Sequence, residues 1–130
     1  MQERQNRDRL ILFALHSETF WWRLGWRLNQ PGFSAQKLFL NSDRPSTGHR
    51  ETPQASLLLI DLGWTEPELT TAMQFLLDFR KVHPAMPACV LVPRLQPESR
   101  PGWAELGVGL VLDRATAPPV IAKTLFSWLS

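Results

Sequence analysis

Several features that would point directly to a function are scarce in this chain of 130 residues. It has a single cysteine, Cys89, which excludes an internal disulfide and is typical of a reducing compartment. No apolar stretch approaches the roughly 18 residues that a membrane helix requires. Residues 1–9 are polar and lack the apolar core of a secretory signal. We therefore expect a cytoplasmic location and no contact with a membrane.

Motifs for binding nucleotides, metals or nucleic acids are also missing. The net charge is only +2 and the basic residues are scattered, so we predict no nucleic-acid partner. Gly107 and Gly109 are not followed by the helix that a phosphate-binding loop requires. The three histidines, His16, His49 and His83, show no metal-ligand spacing. The sequence therefore predicts neither a cofactor nor a bound metal.

What the chain does contain is a series of short apolar runs. Residues 10–15, 57–60 and 88–92 are apolar throughout, as in strands that are buried on both faces of a parallel sheet. Weaker strand patterns occur at residues 36–40 and 109–112. Because helical patterns alternate with these strands, we predict an α/β fold with a five-stranded parallel sheet and helices on both faces.

The clearest helix signal lies after the run that ends at Ile60. Thr65 followed by Pro67 and Glu68 forms the pattern of a capping box, which predicts a helix that continues to about His83. The other predicted helices are a first one capped by Ser17 and ended by Pro31, a short one at 103–106, and a final one from Pro118 or Pro119 to Leu129.

Two stretches are predicted to lie outside this regular structure. Residues 41–55 are rich in Ser, Pro and Gly and contain almost nothing apolar, which predicts a long loop instead of a helix. Residues 1–9 are predicted to form a polar tail, and residues 10–130 a single α/β domain large enough for a hydrophobic core.

The order of these motifs resembles a response-regulator receiver domain, from Leu10 to Leu129. Residues 57–62 are similar to the third strand of that family with its phosphoacceptor aspartate, which falls on Asp61. Residues 79–92 are similar to the end of the third helix and the fourth strand, and residues 105–112 to the fifth strand with the turn before it. The resemblance implies a flavodoxin-like fold and a role in signal transduction.

Most positions that the family uses for phosphoryl transfer are changed. The acidic pair that holds a divalent metal in active members falls on His16 and Ser17. The hydroxyl residue of the fourth strand falls on Val92, and the lysine of the fifth falls on Arg114. Because metal, hydroxyl and lysine act together to offset phosphoryl charge, the resemblance implies a degenerate pseudo-receiver. We expect Asp61 to be a structural carboxylate paired with Arg114.

Six tryptophans and no tyrosine make up an unusual aromatic set. If Trp21 and Leu24 of the first helix face the sheet, Trp22 and Trp26 share a different face. Two indoles on an outer face are typical of a partner site, which Phe126 of the last helix would extend. The alternative is that these rings cover a sheet face where a helix is missing.

Three functions are open on this basis. We favour a receiver-like domain that acts in bacterial regulation by phosphorylation-independent protein–protein interaction, with a protein partner or as a homodimer, and not as an enzyme. The second is a phosphoacceptor receiver domain of a two-component system, phosphorylated at Asp61. The third is a small enzyme or ligand-binding protein that uses the cleft at the strand ends.

Overall fold

The computed structural model describes residues 9–40, 55–93 and 100–129. The strands in these ranges are β1 (Arg9–Leu15), β2 (Phe33–Phe39), β3 (Leu57–Asp61), β4 (Ala88–Val92) and β5 (Val108–Asp113). The helices are α1 (Glu18–Leu24), α2 (Glu66–Val82), α3 (Arg100–Glu105) and α4 (Pro118–Leu129). A 3₁₀ turn, Gly25–Leu28, continues α1. The predicted alternation of strands and helices is confirmed.

The strands form one five-stranded parallel sheet in the order β2-β1-β3-β4-β5. All residues of β3 and β4 are buried, as their continuous apolar sequences predict. The register places Phe13 of β1 beside Leu59 of β3, and Asp61 beside Leu91 of β4. The carboxyl ends of the strands therefore meet at one edge of the sheet, where an open α/β fold places its ligand sites.

Helices cover both faces of the sheet. On one face α2 packs its buried residues against the strands, namely Ala72, Phe75, Leu76 and Phe79. On the other face α1 and α4 lie side by side and bury a second set, namely Phe20, Leu24, Ile121, Ala122 and Leu125. Each such Leu or Phe side chain contributes about 1.5–3 kcal/mol when fully buried, so the two clusters hold the layers together.

Local signals begin and end α1. Ser17 caps the helix, because its Oγ accepts a hydrogen bond from the backbone N–H of Phe20 at 3.2 Å. Gly25 follows the last turn, where an added Cβ would lie 2.3 Å from the Trp21 ring. The absent side chain therefore leaves room for Trp21 to fold back over the turn. Gly32, with a φ of +90°, then reverses the chain into β2.

The capping box that begins α2 is present. The Thr65 Oγ1 accepts from the Glu68 N–H at 3.3 Å, and the Glu68 carboxylate accepts from the N–H groups of Trp64 and Thr65 at 2.7 and 3.2 Å. These hydrogen bonds, that from Trp64 above all, hold the pKa of Glu68 below its usual value. The charged form of Glu68 therefore stabilises the start of α2.

Cys89 lies in the buried strand β4 and has no exposure to solvent. Burial raises the pKa of its thiol, because the thiolate would lie in an apolar layer without water. The side chain therefore acts as a small apolar core residue, as predicted.

Some boundaries differ from those predicted. β2 begins at Phe33 instead of Gln36, because it is an edge strand whose polar residues still pair with β1. α3 begins at Arg100, three residues before the predicted short helix at 103–106. Arg9 belongs to β1 and not to a tail, since it pairs with Phe33. Most of the predicted tail and all of the predicted loop except Ala55 lie outside the described residues.

Trp128 of α4 is only partly buried. Its side chain is 37% exposed, whereas Ile121 and Leu125 are fully buried. The ring lies over Gly109, where an added Cβ would come within 2.8 Å of it. In the described part of the chain, no helix is long and apolar enough to cross a membrane.

Candidate functional site

The centre of the site is an ion pair at the carboxyl edge of the sheet. Asp61 ends β3 and is 0% exposed. Arg114 follows β5, and its Nε donates to Asp61 Oδ1 at 2.6 Å while its Nη2 donates to Oδ2 at 3.2 Å. Both carboxylate oxygens are therefore bound by one guanidinium, which is the strongest geometry for such a pair. The predicted pairing is present.

Aromatic rings hold the guanidinium of Arg114 in place. The ring of Phe20 lies 4.4 Å from it and the ring of Trp64 4.5 Å, so α1 and the loop after β3 both contact this cation. The backbone N–H of Arg114 donates to the Val92 carbonyl at 2.6 Å. Asp61 Oδ1 also accepts from the Gly63 N–H at 3.0 Å. The carboxylate is thus covered by Arg114 and held from below by the backbone.

The other predicted positions lie at the same edge but do different work. Ser17 uses its hydroxyl to cap α1. Val92 is buried, and it is the backbone carbonyl of this residue that contacts Arg114. His16 is buried directly after β1. The structure therefore brings together all the positions that the family resemblance identified.

These residues do not fit the divalent metal that the receiver family uses. Mg²⁺ prefers several oxygen ligands, usually carboxylates, in a regular octahedral arrangement. Both oxygens of Asp61 are bound by Arg114, and His16 and Ser17 offer no carboxylate. Within residues 9–40, 55–93 and 100–129, no group of three or more His, Cys, Asp or Glu side chains could hold a metal.

A cleft of about 240 Å³ lies above the ion pair. It is lined by His16, Ser17, Thr19, Phe20, Arg23, Trp64, Glu68 and Arg114. Asp61 is not part of the lining, because the guanidinium lies over it. Asp61 is paired with Arg114 and Glu68 caps α2, so neither of these carboxylates is placed to act as a base.

The sequence did not identify Phe20 and Trp64 as parts of this site. Trp64 lies three residues beyond Asp61 in a turn that Gly63 makes possible, with a φ of +81°. A tryptophan next to a glycine after a strand-end aspartate is the signal that was available. The direction of its ring depends on the turn and on Glu68, and neither is visible in an apolar pattern.

The exposed aromatic residues form a separate feature on α1. Trp22 and Trp26 are 63% and 55% exposed, which confirms the prediction that they face outward. Trp21 is half-buried, and its ring lies 6.2 Å from that of Phe13. Phe126 differs from the prediction that it joins the exposed pair. It is half-buried, and its ring packs 4.4 Å from that of Phe33.

Comparison with solved structures supports the fold. The chain is similar to a CheY-like receiver domain protein from Methanospirillum hungatei, with 14% identity, a TM-score of 0.72 and 94% of each chain covered. It is similar to the HemR receiver domain from Leptospira biflexa, with 16% identity, a TM-score of 0.74 and 95% of each chain covered. Chemotaxis protein CheY4 from Vibrio cholerae has 16% identity and a TM-score of 0.73, with 92% of this chain and 98% of that one covered.

No protein-family model matches the chain, and no curated protein matches it significantly. The structural likeness extends over nearly the whole chain, although the identities are low. Together with the strand order, it shows that the chain has the fold of a response-regulator receiver domain.

Proposed function

We propose that the chain is a degenerate receiver-like domain that acts in regulation by phosphorylation-independent protein–protein interaction, and that it is not an enzyme. The observation that carries the proposal is the buried pair of Asp61 and Arg114. Both carboxylate oxygens accept hydrogen bonds from Arg114, and the guanidinium contacts two aromatic rings, those of Phe20 and Trp64. The position of the phosphoacceptor is thus occupied by a structural ion pair.

Phosphorylation of Asp61 would require this arrangement to break. A phosphodonor must reach one carboxylate oxygen in line, and Arg114 covers both of them. Opening a buried ion pair leaves an uncompensated charge, which costs several kcal/mol. His16 and Ser17 offer no carboxylate for the divalent metal that normally offsets phosphoryl charge, and Val92 has no hydroxyl at the position where the family has one. These costs favour a function that does not depend on phosphorylation of Asp61.

The surface of α1 supplies a place for the interaction. Trp22 and Trp26 expose most of their rings, and the guanidinium of Arg27 lies 4.4 Å from the Trp26 ring. Tryptophan and arginine are the residue types that most often dominate binding energy at protein interfaces. We propose that this surface binds a protein partner or a second copy of the chain.

One observation favours the alternative of a phosphoacceptor receiver in a two-component system. Asp61 ends β3, and the Arg114 cation contacts it from the end of β5. In this alternative Arg114 would move away from Asp61 and bind the phosphoryl oxygens, for which a guanidinium is well suited. The two functions differ in whether Asp61 ever carries a phosphoryl group.

The deciding experiment combines intact-mass measurement with tryptophan fluorescence. We expect acetyl phosphate with Mg²⁺ to leave the mass unchanged, and millimolar Mg²⁺ to leave the emission of Trp64 unchanged. The Trp64→Phe variant identifies which part of the emission comes from the ring beside Arg114. A single phosphoryl adduct that is absent from Asp61→Asn would establish the alternative, and so would saturable Mg²⁺ binding that depends on Asp61.

A further inference from the structure

A groove of about 270 Å³ lies between the 3₁₀ turn and α4, beside the exposed tryptophans. It is lined by Arg27, Gln30, Pro119, Ala122, Lys123 and Phe126. Arg27 connects the groove to the aromatic surface, because its guanidinium also lies over the Trp26 ring. Groove and indole therefore form one continuous face of the domain.

The charges of the groove have one sign. Arg27 and Lys123 are cations, and none of the described residues that line the groove is a carboxylate. The side-chain amide of Gln30 donates to the Arg27 carbonyl, which fixes the end of the 3₁₀ turn. An acidic group that enters the groove therefore meets two positive charges and no like charge among these residues.

The remaining wall of the groove is apolar. Pro119, Ala122 and Phe126 of α4 form it. Two cations around an apolar wall complement a segment that carries carboxylates on either side of an apolar side chain. A concave site of this size accommodates one such side chain, whereas a flat lipid surface does not enter it.

We propose that this groove, together with Trp26, binds an acidic peptide segment of a partner protein. The carboxylates of the segment pair with Arg27 and Lys123, and its apolar side chain packs on Phe126. This inference rests on the proposed function, because it specifies the chemistry of the partner for the same surface. It is independent of the phosphorylation state of Asp61.

The test uses a short fluorescein-labelled peptide with glutamates on both sides of a central leucine. A second peptide has glutamine at each glutamate position, and a third has lysine. Fluorescence anisotropy should show binding of the acidic peptide alone, weakened by added salt. Lys123→Gln and Arg27→Gln should each weaken it about tenfold, as for the loss of one charge-assisted contact.

The matched control is Lys81→Gln, which removes one exposed cation from α2 on the opposite face of the sheet. Lys123 is exposed, so its variant tests the groove even if Arg27→Gln is destabilised. The inference is overturned if the three peptides bind alike, if the acidic peptide fails to bind, or if Lys81→Gln weakens binding as much as Lys123→Gln. If the protein binds anionic vesicles but not the acidic peptide, the inference is overturned in favour of a membrane surface.

Failure here is distinguishable from failure of the proposed function. If the acidic peptide does not bind but association still depends on Trp22 and Trp26, the groove is excluded as a binding site and the tryptophan surface is retained. A phosphoryl adduct on Asp61 would contradict the phosphorylation-independent function, but it would not contradict peptide binding in the groove.

Discussion

Asp61 and Arg114 depend on each other because neither charge has enough solvent to satisfy it alone. Asp61 is entirely buried, and the Arg114 side chain is only 11% exposed. Removing one partner leaves the other buried and uncompensated, whereas replacing both by apolar residues removes the desolvation cost as well. The pair therefore behaves as a unit, and single and double substitutions at its positions should differ.

Arg114→Ala should lower the free energy of unfolding by about 3–5 kcal/mol, since the Asp61 carboxylate loses its counter-charge. The double variant Asp61→Leu/Arg114→Leu should lose much less. Urea denaturation followed by circular dichroism measures both. The control is Arg23→Ala, an exposed arginine of the same cleft, which should change stability by no more than about 0.5 kcal/mol. An equal effect of Arg114→Ala and Arg23→Ala would contradict the role of the pair.

For single residues, the sequence predicts the ion pair of Asp61 and Arg114 better than it predicts the aromatic rings around that pair. Asp61 ends one strand of a parallel sheet and Arg114 directly follows another, so the fold alone predicts that they meet. The contacts of Phe20 and Trp64 with the guanidinium depend on where α1 packs and how the chain turns at Gly63. Neither property has a periodic pattern in the sequence.

At the scale of elements, the sequence predicts a helix or strand well where its apolar run or its capping signal is uninterrupted. The apolar runs of β1, β3 and β4 predict central strands because such strands are buried on both faces. The edge strand β2 was predicted too short, because half-exposed residues such as Ser34 interrupt its apolar pattern. The α2 helix was predicted well because Thr65, Pro67 and Glu68 give a local signal that does not depend on packing.

The cap of α2 should make this helix sensitive to acid. The pKa of Glu68 is lowered in the folded state, mainly by the hydrogen bond from the Trp64 N–H. Its contribution is therefore complete above the unfolded-state pKa, and it is lost as the pH falls through the lower, folded-state pKa. We expect the melting temperature of Glu68→Gln to fall less than that of the wild type between neutral pH and strong acid. The measurement is the melting temperature as a function of pH.

Thr65→Ala tests the same cap from its other side. Loss of the N-cap hydroxyl should cost about 1 kcal/mol at any pH, because Thr65 does not titrate. Thr70→Ala, at an exposed site within the same helix, is the matched control. A Glu68→Gln variant that follows the wild-type pH profile would show that the carboxylate charge does not stabilise the cap.

At the scale of the whole molecule, the two faces of the sheet are unequal. The α2 face carries scattered exposed apolar residues such as Leu77, while the α1 face carries Trp22 and Trp26 together. Scattered apolar residues are normal on a protein surface, whereas adjacent aromatic rings mark an interaction site. The sequence predicted, from the spacing of the tryptophans, that Trp22 and Trp26 share an outer face. It misplaced Phe126, because the packing of α4 against β2 is a long-range property.

Replacing both exposed tryptophans should abolish association without unfolding the domain. Burial of one such ring is worth roughly 1.5–3 kcal/mol, so a two-fold contact through both copies would sustain a homodimer. Light scattering on wild type and on Trp22→Ala/Trp26→Ala measures the mass, and a thermal melt verifies the fold. Leu77→Ala, a half-exposed apolar residue on the opposite face, is the control. A double variant that associates like the wild type would exclude this surface. A monomeric wild type would leave a different protein as the partner.

The chain has a single cysteine, and it is fully buried in a central strand. The reaction of this thiol with a labelling reagent therefore reports when the domain opens. A thiol reagent cannot reach Cys89 until β4 separates from its neighbours and from the helices above and below. We therefore expect labelling at neutral pH to be slow and to accelerate in urea in parallel with global unfolding. Rapid labelling of the native protein would reveal a local opening of the sheet. The labelling rate of Arg114→Ala would then measure, without any introduced probe, how strongly the ion pair keeps the strands closed.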